Sequence, residues 1–355
     1  MTNKPSFNTI WIQPRKPDNF DDPDHDLIYK RQVQGLPGIK THISNSCHRP
    51  WNTITIDERG RIFTCICDGH VPFPVGHVND FNSFEEIFNS PQAILTQQSI
   101  IKKEFEYCAT QYCGIESTNK LVDPSEIYLV INIDNSCNLS CPSCRERIIF
   151  INDQDIISDK LKLSTRISTW IAKTNKKVVV EMSGNGDPFA SLIYLDIVKL
   201  LAEFNNVYFI IKTNGLLLQA HLPKFNIPVN RIVGLSVSID AATEQIYNIV
   251  RRGGQWSQLL GNLEYLKRLG IKKLQGNFVI QRDNINDVIP FVEFCNQYNM
   301  YPRYAVLQDW GTWHNFEEHC VHIATSPYYE QFKKTINDPI FKKYKTNIDK
   351  LKSWI

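Results

Sequence analysis

Three cysteines in one short segment are the residues most suited to chemistry. Cys137, Cys141 and Cys144 lie in DNSCNLSCPSCRER with a C-x3-C-x2-C spacing. Three thiolates on a short loop can ligate three irons of a [4Fe–4S] cube, which leaves the fourth iron open to a small molecule. The alternative is zinc, but zinc prefers four ligands in paired C-x2-C elements. Since the segment has no fourth cysteine or histidine, its spacing favours an iron–sulfur cluster.

Two further segments carry groups that can hold a ligand. In MSGNGDPF, Gly186 permits the close approach of another backbone. The carboxylate of Asp187 can accept hydrogen bonds from an ammonium group. An ordinary Gly-Asp-Pro turn is the alternative for this segment. The segment KTNG contains Thr213 and Asn214, and its alternative is a turn that ends a strand.

The segment GLSVSIDA alternates polar and apolar residues. Ser236, Ser238 and Asp240 therefore share one face if the segment is a strand. Leu235 and Val237 would be buried on the other face, so the polar face is predicted to line a wet interior. Exposure at a sheet edge is the alternative.

A second group of cysteines precedes the first. The chain has ten cysteines, and eight of them fall between residues 47 and 144. In a reducing compartment such clustering favours metal binding or catalysis over disulfides. Four are spread over a predicted strand pair and a helix end and can surround one metal centre, with Cys67 as a substitute for one of them: Cys47, Cys65, Cys108 and Cys113. A structural zinc site is the alternative.

Alternating strands and helices position the central cysteines. Six strands are predicted at 126–133, 177–182, 207–213, 233–239, 274–280 and 303–308, with helices near 160–174, 190–204, 256–269 and 286–299. Apolar strands separated by amphipathic helices are typical of parallel βαβ units. Six such strands favour an open partial barrel over a closed eight-stranded one. The three-cysteine segment follows the first strand, where the loops of such folds carry the chemistry.

The remaining chain divides by pattern into four parts. Residues 1–45 are predicted as an irregular arm, 46–121 as a cysteine-rich unit, 122–315 as the barrel and 316–355 as a helical tail. Within the cysteine-rich unit, TITIDERGRIFTCI predicts two strands around a turn. A helix follows, capped by Asn82 or Ser83 and interrupted at Pro91.

Composition excludes some functions. Lys and Arg number 39 and Asp and Glu 37, so the net charge is +2, without the basic footprint of a nucleic-acid binder. No window approaches the ~20 apolar residues of a membrane span, and the first residues lack a signal peptide's apolar core. We expect a soluble, cytoplasmic protein.

The motif and its place after the first strand resemble the radical S-adenosylmethionine (radical SAM) superfamily over roughly residues 125–310. The resemblance implies that S-adenosylmethionine binds the open iron. Its reductive cleavage would yield a 5′-deoxyadenosyl radical that abstracts a substrate hydrogen. It also implies an electron donor of the flavodoxin or ferredoxin type. One departure is Ser143, because the residue before the third cysteine is often aromatic in the family.

The resemblance also implies which residues bind the cofactor. Residues 185–188 are similar to the family's Gly-Gly-Glu-Pro segment, which receives the cofactor's amino group. One arginine of the pair 251–252, assigned as Arg252, resembles the arginine near the cofactor carboxylate, and a solvated surface pair is the alternative. The implied contacts are Asn185, Gly186, Asp187, Thr213, Asn214, Ser236, Ser238, Asp240 and Arg252. Gln281 is added to them because its position at the end of the fifth strand lets it reach the site. No catalytic side chain is singled out.

The earlier cysteine-rich unit resembles SPASM/twitch auxiliary-cluster domains through CHRPWNTITIDERGRIFTC and VGHVNDFNSFEEIFNSP. Such domains usually follow the radical core, whereas here the unit precedes it, and its cysteine count suits one auxiliary iron–sulfur cluster. The expected fold is an α/β partial (β/α)6 barrel with a small N-terminal α+β domain. The resemblance implies a ribosomally made peptide as substrate, modified by epimerisation, crosslinking or backbone excision. A sugar- or nucleotide-linked small molecule and a non-catalytic iron–sulfur or zinc scaffold are the alternatives.

Overall fold

The strands predicted from residue 125 onward form the parallel part of one large sheet. The computed structural model describes residues 47–66, 71–108, 125–182, 186–308 and 312–354. The predicted arm at 1–45, Cys67, Cys113 and Asn185 lie outside the described residues. The strands are β1 (Thr53–Ile56), β2 (Arg61–Phe63), β3 (Gly76–His77), β4 (Glu126–Ile131), β5 (Lys177–Met182), β6 (Val207–Thr213), β7 (Ile232–Ser238), β8 (Leu274–Ile280) and β9 (Tyr301–Val306).

Helices connect these strands and cover one face of the sheet. They are α1 (Arg49–Asn52), α2 (Phe84–Phe88), α3 (Pro91–Ile101), α4 (Gln154–Ala172), α5 (Leu192–Ala202), α6 (Leu218–His221), α7 (Glu244–Val250), α8 (Trp256–Leu269), α9 (Pro290–Gln297), α10 (Tyr329–Ile336) and α11 (Ile340–Lys343). Short 3-10 turns occupy Val78–Asp80, Pro188–Ala190, Leu222–Phe225, Val229–Arg231, Arg282–Asp287, Phe316–Glu318 and Ile348–Trp354.

The strand order is β3-β2-β1-β4-β5-β6-β7-β8-β9. From β4 to β9 each strand lies beside its predecessor and runs parallel to it. Helices α4, α5, α8 and α9 provide main crossovers, which is the βαβ pattern that the sequence predicts. The predicted α/β partial barrel is confirmed, with small shifts of the element ends.

One strand pairing was not predicted from the sequence. Strand β1 of the cysteine-rich unit pairs in parallel with β4, with Ile54 opposite Leu129. Strands β2 and β3 extend the sheet antiparallel from there. The unit therefore extends the wall of the barrel. The proposed division of the chain at residues 45, 121 and 315 remains a prediction. Strands from both sides of the predicted boundary at residue 121 belong to the same sheet.

The two faces of the parallel strands have different compositions. On β8, the Phe278 ring packs against the tilted ring of Phe291 of α9 at 4.9 Å between centroids, so this face lies against the helices. The opposite face carries polar groups. On that face the Tyr128 hydroxyl donates to the carboxylate of Glu181, which also forms an ion pair with Lys212. The predicted polar interior thus continues over several strands.

Local signals explain the ends of several elements. Ser83 caps α2 by accepting a hydrogen bond from the Glu86 N–H at 3.2 Å, and Ser90 caps α3, which begins at Pro91. At the other edge of the sheet, the Asn347 side chain bonds both the N–H and the carbonyl of Tyr304. This amide occupies part of the free edge of β9 as a neighbouring strand would.

Helix α4 joins the cysteine-rich unit to the barrel. The indole N–H of Trp170 donates to the Phe81 carbonyl at 3.0 Å, and its ring meets Phe84 edge to face at 5.8 Å. Trp170 and Phe84 are fully buried and belong to one hydrophobic core with residues of both parts. In the described part of the chain, no helix combines the length and apolarity needed to cross a membrane.

Substitution of Trp170 is expected to destabilise both parts together. Trp170→Ala should lower the free energy of unfolding by about 3–5 kcal/mol because it opens a large cavity. Trp170→Phe keeps most of the packing and loses only the bond to Phe81, so it should cost about 1–3 kcal/mol. Urea unfolding followed by circular dichroism measures both values. A loss below about 1 kcal/mol for Trp170→Ala would show that the shared core contributes little.

Candidate functional site

The three-cysteine loop leaves β4 and is fixed at several points. The Cys137 N–H donates to the Ile149 carbonyl at 2.7 Å, which closes the loop on itself. A turn joins the other two cysteines, because the Cys144 N–H donates to the Cys141 carbonyl at 2.9 Å. Cys137 and Cys141 are buried, whereas Cys144 is exposed. The loop therefore presents two sheltered sulfurs and one that reaches the surface.

Charged side chains surround these thiols. Burial raises the pKa of the Cys137 thiol to about 11, against the lowering effect of Arg145. Burial also raises the pKa of Cys141, against the effect of Arg251. Arg145 is held by its bond to the Asn135 carbonyl at 2.7 Å. Three thiolates on a metal centre carry concentrated negative charge, and these two guanidinium groups are placed to offset it.

The backbone at Gly186 lies very close to the cysteine loop. A Cβ atom at this position would lie 2.2 Å from the Ser136 carbonyl oxygen, so only glycine fits. The next residue completes the contact, since the Asp187 N–H donates to the same carbonyl at 2.7 Å. The loop after β5 is therefore pressed directly against the loop after β4.

The Asp187 carboxylate joins this contact to a third loop. It accepts hydrogen bonds from the hydroxyl of Thr213, the last residue of β6, at 2.7 Å and from the N–H of Asn214, which follows it, at 2.6 Å. Its other oxygen accepts the Phe189 N–H at 3.0 Å. Burial raises the pKa of Asp187, and these donors act in the opposite direction. Through its N–H and its carboxylate, Asp187 thus joins the ends of three strands, while the predicted contact of the carboxylate with a cofactor amino group remains a prediction.

Asn214 lies between that contact and the cysteines. Its side-chain amide donates to the Asn138 side chain at 2.8 Å and lies 3.9 Å from the Cys137 sulfur. Thr213 is turned toward Asp187. The predicted Gly186, Asp187, Thr213 and Asn214 are thus brought together with the cysteine loop.

The polar face of β7 and β8 forms another wall. Ser236 and Ser238 lie opposite Gln275 and Asn277 in the strand register, and the Ser236 hydroxyl donates to the Gln275 side-chain oxygen at 3.0 Å. Side-chain oxygens of Asn277 and Gln281 are buried with no hydrogen-bond partner among the described residues. Buried acceptors without donors are costly, so this wall suits a ligand that brings hydroxyl or amino groups.

Asp240 and Arg251 form a buried ion pair beside the loop. Asp240 lies beyond the end of β7 with a left-handed backbone, φ +59°, so strand alternation does not set its direction. Its carboxylate pairs with Arg251 at 2.7 Å and accepts the Val279 N–H at 2.7 Å. The Arg251 guanidinium also lies 3.7 Å from the Cys141 sulfur.

Arg252 occupies a different position from its neighbour. It is exposed, and its guanidinium donates to the Ser140 hydroxyl at 3.2 Å and to the carbonyls of Arg145 and Glu146. It therefore anchors the outer side of the cysteine loop. Its predicted contact with the cofactor carboxylate remains a prediction, and Arg251 is the member of the pair that lies beside a cysteine sulfur.

The described auxiliary cysteines lie around one small apolar cluster. Cys47 and Cys108 pack against buried Ile100 and Phe105. Burial raises the pKa of the Cys47 thiol, and Cys65 acts on it electrostatically in the same direction, so these two thiols are close. Three of the four predicted ligands thus meet in one region, and the fourth, Cys113, lies outside the described residues. No group of three potential ligands in the described ranges converges tightly enough for a single metal ion.

The residues present fit the groups that the sequence implies. Three thiols on one loop, two flanking guanidinium groups and unpartnered buried acceptors suit a cluster with an organic cofactor beside it. Sequence reasoning missed Asp134, whose carboxylate accepts the Ser136 N–H at 2.8 Å. It also missed Arg145, although a positive charge directly after Cys144 indicates a residue that can offset the charge of the thiolates.

Comparison with known families agrees with this geometry. The model described as the Radical SAM superfamily matches residues 131–295. A second model, for the SPASM iron–sulfur cluster-binding domain, matches residues 47–114. Together they cover both cysteine groups in the order in which they occur here.

Curated relatives and solved structures are more distant. A GTP 3′,8-cyclase from Staphylococcus epidermidis is 28% identical over 193 residues, which is 52% of this chain and 54% of the cyclase. A probable GTP 3′,8-cyclase from Methanocaldococcus jannaschii is 27% identical over 169 residues, 47% of this chain and 54% of that protein. The chain spans about half the length of the curated relatives it matches. SuiB from Streptococcus suis is similar at 17% identity and a TM-score of 0.45, covering 72% of this chain and 61% of SuiB.

A methyl group at Gly186 is expected to disturb the site. Gly186→Ala should lower the free energy of unfolding by about 1–3 kcal/mol because the Ser136 carbonyl must move. It should also reduce the iron retained after reconstitution. Gly261→Ala is the matched control, since nothing lies within 4 Å of the added Cβ and alanine favours the helix. Equal iron content in the two variants would contradict this reading of the close contact.

Proposed function

Since this chain belongs to the radical SAM superfamily and carries a SPASM domain, we propose that it reductively cleaves S-adenosylmethionine and abstracts a hydrogen atom from its substrate. The observation that carries the proposal is the packing of three strand-end loops around Cys137, Cys141 and Cys144 through Gly186 and Asp187. This arrangement places the cysteines at the carboxyl edge of the parallel sheet, where loops of such folds carry chemistry.

Family membership assigns a [4Fe–4S] cluster, S-adenosylmethionine and an auxiliary iron–sulfur cluster to this chain. When bound, the cluster supplies one electron that cleaves the cofactor's sulfonium bond into methionine and a 5′-deoxyadenosyl radical. The three central cysteines would ligate the cluster, and Cys47, Cys65, Cys108 and Cys113 would hold the auxiliary one, with Cys67 as a substitute. The chain's own residues contribute by orienting the cofactor and by excluding water from the site.

Two groups of side chains orient the cofactor in this proposal. The unpartnered oxygens of Asn277 and Gln281 accept hydrogen bonds from its hydroxyl or amino groups. Ser236 and Ser238 line the same wall. Asp187, Thr213 and Asn214 keep the loops in place, so the ligand-binding groups are fixed before any ligand arrives. Burial of Cys137 and Cys141 limits water at this end of the barrel.

We favour a ribosomally made peptide as the substrate. The support is the SPASM domain, because the resemblance to auxiliary-cluster domains implies a peptide substrate modified by epimerisation, crosslinking or backbone excision. SuiB, one of the proteins with a similar fold, was solved bound to the precursor peptide SuiA. The second candidate is a nucleotide-linked small molecule, favoured by the identity with GTP 3′,8-cyclases over about half of this chain.

An electron donor is the second partner in the proposal. The cluster must receive one electron for each cofactor cleaved, and a flavodoxin or ferredoxin suits this role. Cys144 is the exposed member of the three cysteines, so the donor would approach on its side. None of the eight described cysteines forms a disulfide, which suits the reducing conditions of a cytoplasmic location.

The central test is the release of 5′-deoxyadenosine by the reconstituted, reduced protein. Cys141→Ala should lower this release to background because the cluster loses a ligand. Cys295→Ala is the matched control, since this cysteine is equally buried but packs against Gly276 behind the sheet, and it should keep most of the activity. Retained release in Cys141→Ala, or an iron-free wild-type protein, would refute the proposed chemistry.

The two substrate classes are separated by a second measurement. If the substrate is a peptide, adding GTP alone should not raise the rate of 5′-deoxyadenosine release above the rate measured without any substrate. Mass spectrometry should show no GTP-derived product. A rise of about tenfold or more on adding GTP would instead support the nucleotide alternative, because a bound substrate promotes cofactor cleavage.

A further inference from the structure

We propose that the buried pair formed by Arg251 and Asp240 sets the reduction potential of the central cluster through Cys141, an inference that rests on the proposed function. Arg251 lies 3.7 Å from the Cys141 sulfur. Asp240 lies 2.7 Å from the same guanidinium. Arg251 therefore places a positive charge beside a cluster ligand, and Asp240 offsets part of that charge.

The effect of Arg251 follows from the charge of the cluster. Reduction adds one negative charge to the iron–sulfur core. An N–H donor and a positive charge beside a cysteine ligand stabilise the reduced state more than the oxidised one, which raises the potential. The Arg251 side chain is only 13% exposed, so water screens this interaction weakly.

Asp240 opposes that effect. Its side chain is 2% exposed, and one carboxylate oxygen faces Arg251 while the other accepts the Val279 N–H at 2.7 Å. The carboxylate is thus fixed in direction and offsets part of the guanidinium charge. Its backbone keeps a left-handed conformation, φ +59°, which is strained for a non-glycine residue. The two contacts maintain this strained position.

A purely structural role suits Arg252 better than it suits the pair of Arg251 and Asp240. Burying two charges costs free energy that their attraction often fails to recover, so the pair is a poor device for stability alone. Arg252 already anchors the loop through Ser140 and the carbonyls of Arg145 and Glu146. Arg251 instead contacts a cluster ligand directly. This division of roles provides the control for the experiment.

The test is a redox titration of the reconstituted full chain, followed by electron paramagnetic resonance without substrate. The central signal is the one that changes when S-adenosylmethionine is added to a parallel sample. Arg251→Gln should lower the midpoint potential, and Asp240→Asn should raise it. A tenfold change in the reduction equilibrium, about 59 mV for one electron, is the expected scale. Arg252→Gln removes the same charge without a cysteine contact, so it should shift the potential far less than Arg251→Gln.

The outcomes separate this inference from the proposed function. A wild-type protein without a central cluster refutes the proposed function and the inference with it. A cluster whose potential is the same in Arg251→Gln, Asp240→Asn and wild type refutes the inference alone. Shifts of the same sign in both variants, or an equal shift in Arg252→Gln, indicate loop disruption and also refute it. If Arg251→Gln fails to hold iron, Arg251→Lys replaces it, and its potential should lie nearer to wild type than that of Asp240→Asn.

Discussion

The contact of Asp187 with three loops is the interaction on which the site depends. Its N–H meets the cysteine loop at Ser136, and its carboxylate meets the end of β6 at Thr213 and the loop after it at Asn214. Because Gly186 has no side chain, the backbones approach closely enough for these bonds to form. The cysteines are therefore placed by neighbouring strand ends and not by their own loop alone, which is the condition for a preformed ligand set.

Sequence reasoning predicted the barrel well because each strand and helix carries its own hydrophobic period. The bounds of β5, β6, β8 and α8 agree with the predicted ones, since these elements are bounded by clear polar or glycine signals. The pairing of β1 with β4 was not predicted. Nothing local to Thr53–Ile56 encodes a partner strand that lies about 70 residues later, and the pairing depends on the tertiary core around Trp170.

Among the site residues, sequence reasoning found positions better than it found partners. Gly186, Asp187 and Asn214 do lie beside the cysteine loop, as their place after successive strands predicts. Their hydrogen-bond partners depend on tertiary distances, which a sequence pattern does not contain. The same holds for the two adjacent arginines, because the end of α7 at Val250 turns Arg251 inward and Arg252 outward. A one-residue difference of this kind carries no signal in composition or spacing.

The continuous sheet has a consequence for how the chain is made. On the ribosome, the hairpin of β1 and β2 and its helices emerge before any barrel strand, and N-terminal units generally fold first. This early unit then offers the free edge of β1 to β4 as soon as β4 emerges. Each later strand finds its partner already in place, because the order from β4 to β9 follows the chain. The order of the strands along the chain therefore makes the free edge of β1 the first surface on which the parallel strands can pair.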